Sequence, residues 1–210
     1  LVIVTPTLLQ ATQTYEELSE WYDDEVVHLF PVEESLAADF SVVSPDVVSQ
    51  RIRTLDFLSR GEKGIVIVPL SGIQKLLVPA EVWKKSSIEL AMGSEIESMD
   101  AFVEQLVELG YRRENMVATP GEFALRGSIV DIYPLDQEYP LRLDFFDREV
   151  DSIRAFNAET QRSMDVINEV RILPATDLPL QKEAVWKAQA KIHALYEKDV
   201  KAAQSPERKD

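Results

Sequence analysis

The residues best placed to do chemistry lie in one short run, LRLDFF, at positions 141–146. In a strand, alternate side chains point to opposite faces. Leu141, Leu143 and Phe145 then share one face, with the composition of a core. Arg142, Asp144 and Phe146 share the other. An arginine beside an outward phenylalanine is typical of a binding hot spot, the ring supplying apolar area and the guanidinium a rigid fork of donors. Asp144 is read first as the carboxylate that holds Arg142, because opposite charges on one sheet face usually pair; meeting a partner is the alternative. For Phe146 the competing reading is cover by a helix expected at 99–109. Arg126 precedes Gly127 in LRG, where the missing side chain permits a bulge or a close approach. From the residues alone, an ordinary exposed strand arginine describes Arg126 equally well.

Other chemistries find little support. The seven glycines form no GxxxxGK[ST], GxGxxG or GxSxG, and GEKG at 61–64 reads as a turn between helix and strand. The two histidines, His28 and His193, lie in separate segments. His28 falls inside an apolar strand and reads as a satisfied core or edge residue, not as a ligand or base. Carboxylate pairs such as Asp23-Asp24 and Glu33-Glu34 read as solvated surface. Without cysteine there are no disulfides and no zinc-thiolate sites. The tryptophans Trp21, Trp83 and Trp186 lie in or beside expected helices, and core packing is the default for each. They are not interleaved with a basic patch, so no base-stacking platform is indicated.

The net charge is −15, which disfavours broad binding of a nucleic-acid backbone. Residues 181–210 hold seven Lys or Arg against five Asp or Glu, so the acidic excess lies before them. An acidic surface with a few placed arginines suits a protein partner, though such surfaces also simply keep proteins soluble. No apolar run approaches membrane-spanning length. The cytoplasm is the expected compartment. Leu1 opens directly into LVIV, a buried-strand pattern, so a piece of a longer protein is expected.

The elements that must position these residues fall into two styles. LVIVT (1–5) reads as a strand buried on both faces. A helix at 7–22 follows, capped by Thr7 or Thr5. Then come a strand at 26–30, a helix opened by Ser44-Pro45-Asp46 and ended by Gly61, a strand at 64–69 and a short helix from Ser71 through Leu77. That βαβαβ order implies a parallel sheet with right-handed crossovers. From about residue 85 the pattern changes. A strand at 87–92, a helix at 99–109 and an extended piece at 111–117 precede strands near 123–133, 140–147, 149–156 and 167–173. The turns fall at Pro134–Asp136, Asp147-Arg148 and Asn157–Thr160. This is an α+β unit with a mainly antiparallel sheet. A helix at about 182–203 and a polar, frayed end at 204–210 complete the chain.

GEFALRGSIVDIYP, LRLDFFDREVDSIRAFNAETQRS and VRILPATD closely resemble the N-terminal region of the bacterial transcription-repair coupling factors (the Mfd family). EVVHLFPVEES, SPDVVSQRIRTLDFL and GEKGIVIVPLSGIQKLLVPAEVWKKSSIELAMGSEI also fit, so the resemblance covers essentially the whole chain. It implies a fold of α/β plus α+β type, a degenerate helicase-like parallel-sheet domain with an inserted mainly antiparallel module. Residues 1–84 would be the truncated first part of that domain, 85–174 the inserted module that binds UvrA, and 175–210 the returning helical segment. Matched motif by motif, the UvrA-contacting positions are Arg126, Arg142 and Phe146. The resemblance implies no catalysis and no cofactor in this piece. ATP and Mg belong to the parent's motor domains, and its further partners, RNA polymerase and duplex DNA, are met by motor and polymerase-binding domains that lie further along. A C-terminal domain is expected to mask the UvrA-binding face in the resting parent.

Three rivals follow. The damage-recognition protein UvrB has a homologous module, but it carries a Tyr-rich hairpin insertion, whereas Phe30 to Gly64 holds one helix and no tyrosine here. An ATPase half-domain with its P-loop upstream of Leu1 is compatible with the βαβ unit. A DNA-binding module is disfavoured by the charge.

Overall fold

The computed structural model describes residues 1–23, 25–32, 44–179 and 182–204. Asp24, Glu33 and Glu34, part of the interval that separates this chain from UvrB, and the polar end 205–210 lie outside the described residues. Two compact units are present, Leu1–Pro179 and Leu180–Asp210. The second contributes one helix, Lys182–Gln204.

The first unit begins with a parallel sheet. Strand β1 (Val2–Thr5), helix α1 (Leu8–Ser19), β2 (Val27–Leu29), α2 (Pro45–Arg60) and β3 (Ile65–Pro69) follow one another, and the strands lie in the order β1-β3-β2. Both pairings are parallel, as the βαβαβ reading requires. Thr7 caps α1, its Oγ1 accepting from the Gln10 amide, and Gly61 ends α2 in the left-handed conformation, φ +70. Alternation splits the sheet between the helices. Ile67, Val27 and Leu29 pack with Ala11, Tyr15 and Leu18 of α1, while Val68 packs with Ile52 and Leu55 of α2.

The expectation that β1 is buried on both faces is overturned. Val2 is 57% and Val4 48% exposed. The reason is positional. β1 is the edge strand, and α2 packs over β2 and leaves that face of β1 open. The tryptophans divide too: Trp83 is buried, whereas Trp21, beyond the C-cap of α1, and Trp186 are exposed. The short helix expected through Leu77 ends at Ile73, as α3 (Leu70–Ile73). A further turn, α4 (Ala80–Lys85), carries Trp83 inward.

Strand β4 (Ile88–Ala91), α5 (Met99–Glu108), β5 (Arg112–Arg113), β6 (Glu122–Arg126), β7 (Ile129–Ile132), β8 (Leu141–Phe146), β9 (Glu149–Phe156), β10 (Ser163–Ile167) and β11 (Glu169–Ile172) follow. Six strands form a sheet ordered β10-β9-β8-β7-β6-β5, antiparallel except at β5-β6. Its inner face (Phe123, Val130, Ile132, Leu141, Leu143, Phe145, Ile153) packs on Phe102 and Leu106 of α5. The two-stranded ribbon of β4 and β11 adds Ile88, Leu90 and Ile172 to that core.

Two sequence expectations change here. The extended piece at 111–117 is regular only at Arg112–Arg113. The strand expected at 167–173 is divided at Asn168, where the chain leaves β9 and pairs instead with β4. β10 alternates only over Ser163–Val166 and marks no core face, because all but the last of its residues are exposed at the sheet edge.

Ion pairs join the parallel and antiparallel parts of this unit. Arg171 meets Asp56 at 2.9 Å, Arg51 meets Asp177 at 3.0 Å, and Arg53 donates to the Asp136 carbonyl at 3.0 Å.

Candidate partner-binding face

The outer face of the six-stranded sheet carries the three expected site residues, Arg126, Arg142 and Phe146. Register sets its rows. Ala124, Asp131, Arg142 and Arg154 stand side by side across β6, β7, β8 and β9. In the next row stand Arg126, Ile129, Asp144 and Ser152. Phe146 lies beyond, opposite Glu149.

At one end this face is closed. Val117, Ala124 and Phe156 form a small buried cluster with Tyr133 packed against it. The loop that covers it is held by Glu122, whose carboxylate accepts from the Ala118 and Thr119 amides at 2.9 Å and from the Thr119 hydroxyl at 2.8 Å. Burial pushes the Glu122 carboxyl up. The hydrogen bonds, with Arg112 nearby, outweigh it and hold the group below its ordinary range.

Arg142 belongs to this closed end. Its Nε donates to Asp131 Oδ1 at 2.7 Å and its Nη2 to Oδ2 at 2.9 Å. Its guanidinium carbon lies 4.6 Å from the centroid of the Phe156 ring, and Nη1 reaches the Gln161 carbonyl at 3.5 Å. The Asp131 hydrogen bonds raise the arginine's pKa above its ordinary value against the opposing effect of burial. The expected Asp144–Arg142 pair is not formed. Asp131 is 1% exposed and directly opposite Arg142, so the buried carboxylate takes the guanidinium. Asp144, two residues along the same strand, accepts instead from Ser128 Oγ at 3.5 Å.

At the other end the face is open. Two hairpin turns come together there, Gly127-Ser128 between β6 and β7 and Asp147-Arg148 between β8 and β9. The Phe145 amide donates to the Ser128 carbonyl at 3.0 Å and ties them together. Gly127 has φ +64, and a Cβ there would meet open space. The glycine serves a two-residue turn, not the expected bulge or close approach. Asp147 has φ +56, a conformation aspartate tolerates better than most residues.

Phe146, the last residue of β8, is 79% exposed. The helix read as its cover takes Phe145 instead, with the Phe102 and Phe145 ring centroids 5.6 Å apart. Arg126 is exposed at the end of β6 and makes no ion pair or side-chain hydrogen bond with a described residue. The three expected site residues therefore share one face but not one environment. Asp131 and Phe156, which the sequence reading passed over, are what separate Arg142 from the other two.

Among the described residues no group of three or more His, Asp or Glu could hold a metal ion. His28 stacks on Phe57, ring centroids 4.0 Å apart. No described helix is long and apolar enough to cross a membrane.

Residues 88–178 match the UvrB interaction domain, and the whole outer face just described falls within that span. The chain is 44% identical over 197 residues to the transcription-repair-coupling factor of Staphylococcus epidermidis RP62A. It is 42% identical over 197 residues to those of Staphylococcus aureus NCTC 8325 and Staphylococcus haemolyticus. The resemblance to transcription-repair-coupling factors holds. Each alignment covers 94% of this chain and 17% of the relative. The six-stranded sheet and the β4–β11 ribbon lie within the matched stretch, and the parallel sheet precedes it.

Proposed function

We propose that this chain is the UvrA-recruiting piece of a transcription-repair coupling factor. It acts in transcription-coupled nucleotide excision repair by protein–protein contact, without catalysis or a cofactor of its own. The observation that carries this reading is Phe146, an exposed aromatic on the same outer sheet face as Arg126, which has no described partner, within the stretch that matches the UvrB interaction domain. Buried aromatic and arginine anchors dominate interface energetics, and Phe146, 79% exposed on this face, is free to supply one. In this reading residues 1–84 begin a degenerate helicase-like domain, 85–174 are inserted into it and 175–210 return to it. The parent is a cytoplasmic ATP-dependent translocase, with its nucleotide, duplex DNA and RNA polymerase contacts in other domains. Its C-terminal domain masks the face of Phe146 until it is needed.

Calorimetry of this chain with purified UvrA tests the reading. Wild type binds, and Phe146→Ala weakens binding about thirtyfold while circular dichroism and the unfolding midpoint stay unchanged. No binding by wild type, or unchanged binding by Phe146→Ala, overturns it. Masking is checked separately: equal affinity of this chain and the intact parent for UvrA excludes it.

A further inference from the structure

The row across the sheet holds an unusual pair. Arg142 on β8 and Arg154 on β9 are direct cross-strand partners on the same face. Like charges in that position repel, and a sheet selected for stability alone would avoid them. Asp131 satisfies Arg142 with both carboxylate oxygens. Nothing comparable serves Arg154. It is exposed, and it makes no ion pair or side-chain hydrogen bond with a described residue. Asp131 neutralises one arginine, so the row Asp131–Arg142–Arg154 keeps one positive charge at its β9 end. That charge stands out in a chain of net charge −15. Its far neighbour in the row is Val166 of β10, 60% exposed, so apolar surface flanks the guanidinium on the side away from Arg142. On β8, Phe146 supplies a second exposed apolar group on the same face.

We infer that Arg154 is a further partner-contacting residue on this face, receiving a carboxylate from an acidic segment of the protein that Phe146 anchors. The inference rests on the reading of this face as the UvrA-binding surface, and it extends that surface from β8 across β9 to β10. The guanidinium presents a preorganised fork, and Arg142, locked by Asp131 and Phe156, closes off one side of the approach. An incoming carboxylate pairs with the one arginine of the row that no carboxylate already serves, a charge-assisted contact made only in the complex. Arg142 is then a positioning residue and Arg154 the contact.

The experiment is titration of purified UvrA with wild type, Phe146→Ala, Arg154→Ala, Arg154→Glu and Arg154→Lys at low and moderate salt. Arg154→Ala is expected to weaken binding about tenfold, the scale of one charge-assisted hydrogen bond, with Arg154→Glu weaker still and Arg154→Lys between. The salt dependence of affinity flattens for Arg154→Ala. Its unfolding midpoint stays the same, whereas loss of an arginine that served the fold would lower it. Wild-type affinity in Arg154→Ala and Arg154→Glu, with binding lost in Phe146→Ala, overturns this inference and leaves the proposed function standing. Wild-type affinity in every variant, or no binding by wild type, overturns both. Affinity for duplex DNA that depends on Arg154 and exceeds that for UvrA also overturns it, assigning the charge to phosphate instead.

Discussion

The two ends of one sheet face hold arginines in opposite circumstances. Arg142 has both oxygens of a buried carboxylate, an aromatic ring and a carbonyl about it. Arg126, two strands away on the same side, has no described partner. Arg142 is expensive to remove for the fold and poorly placed to reorganise for a ligand. Arg126 is cheap to remove for the fold and free to meet one. An arginine's place on a sheet face therefore does not define its role; its existing hydrogen bonds do.

The sharpest test of this contrast is Arg142→Ala. It leaves Asp131 buried without a cation, and loss of about 3 kcal/mol is expected in urea unfolding. Restoration of part of that loss in Asp131→Ala/Arg142→Ala identifies the pair as its source. If the double variant still binds UvrA, Arg142 acts by positioning; if it folds and does not bind, Arg142 is a contact and the division between the two ends fails. Phe146→Ala comes next, with about 2 kcal/mol lost in binding and almost none in stability. A large drop in stability would mean that the ring packs on the fold after all. Arg126→Ala is expected to lower affinity by about 1 kcal/mol and to leave the unfolding midpoint in place. Glu122→Gln acts at the closed end. Its carboxyl sits below the ordinary range in the folded chain, so its contribution is complete above that range and is lost as pH falls through and below about 4. The variant is expected to be about 1 kcal/mol less stable at neutral pH, with a correspondingly shallower acid loss. Gly127→Ala acts on the turn alone and is expected to cost about 1 kcal/mol of stability and no affinity, since the turn needs φ above zero even though there is room for a methyl group.

Much of this was readable locally. The alternation in LRLDFF assigns Leu141, Leu143 and Phe145 to the core, and all three are buried. The cap at Thr7, the stop at Gly61 and the turns at Asp147-Arg148 and Asn157–Thr160 rest on residues near one another in sequence, and the structure has them in place. What was missed depends on distant neighbours. β10 has an alternation of only four residues, Ser163–Val166, and as an exposed edge it buries neither face along them. β1 has an apolar run like that of a central strand, yet it lies at an edge with one face uncovered.

The sequence by itself determined the two styles of sheet, the inward and outward faces of β8 and the family that the chain resembles. These follow from period-2 alternation, capping and turn chemistry, all of which act over a few residues. Only the tertiary structure decided that Asp131 and not Asp144 holds Arg142, that α5 covers Phe145 and leaves Phe146 bare, and that Arg154 is set against Arg142. Each of these depends on strand register and on which element lies over which face. A shift of register by one residue would exchange every partner while leaving each strand's own pattern intact.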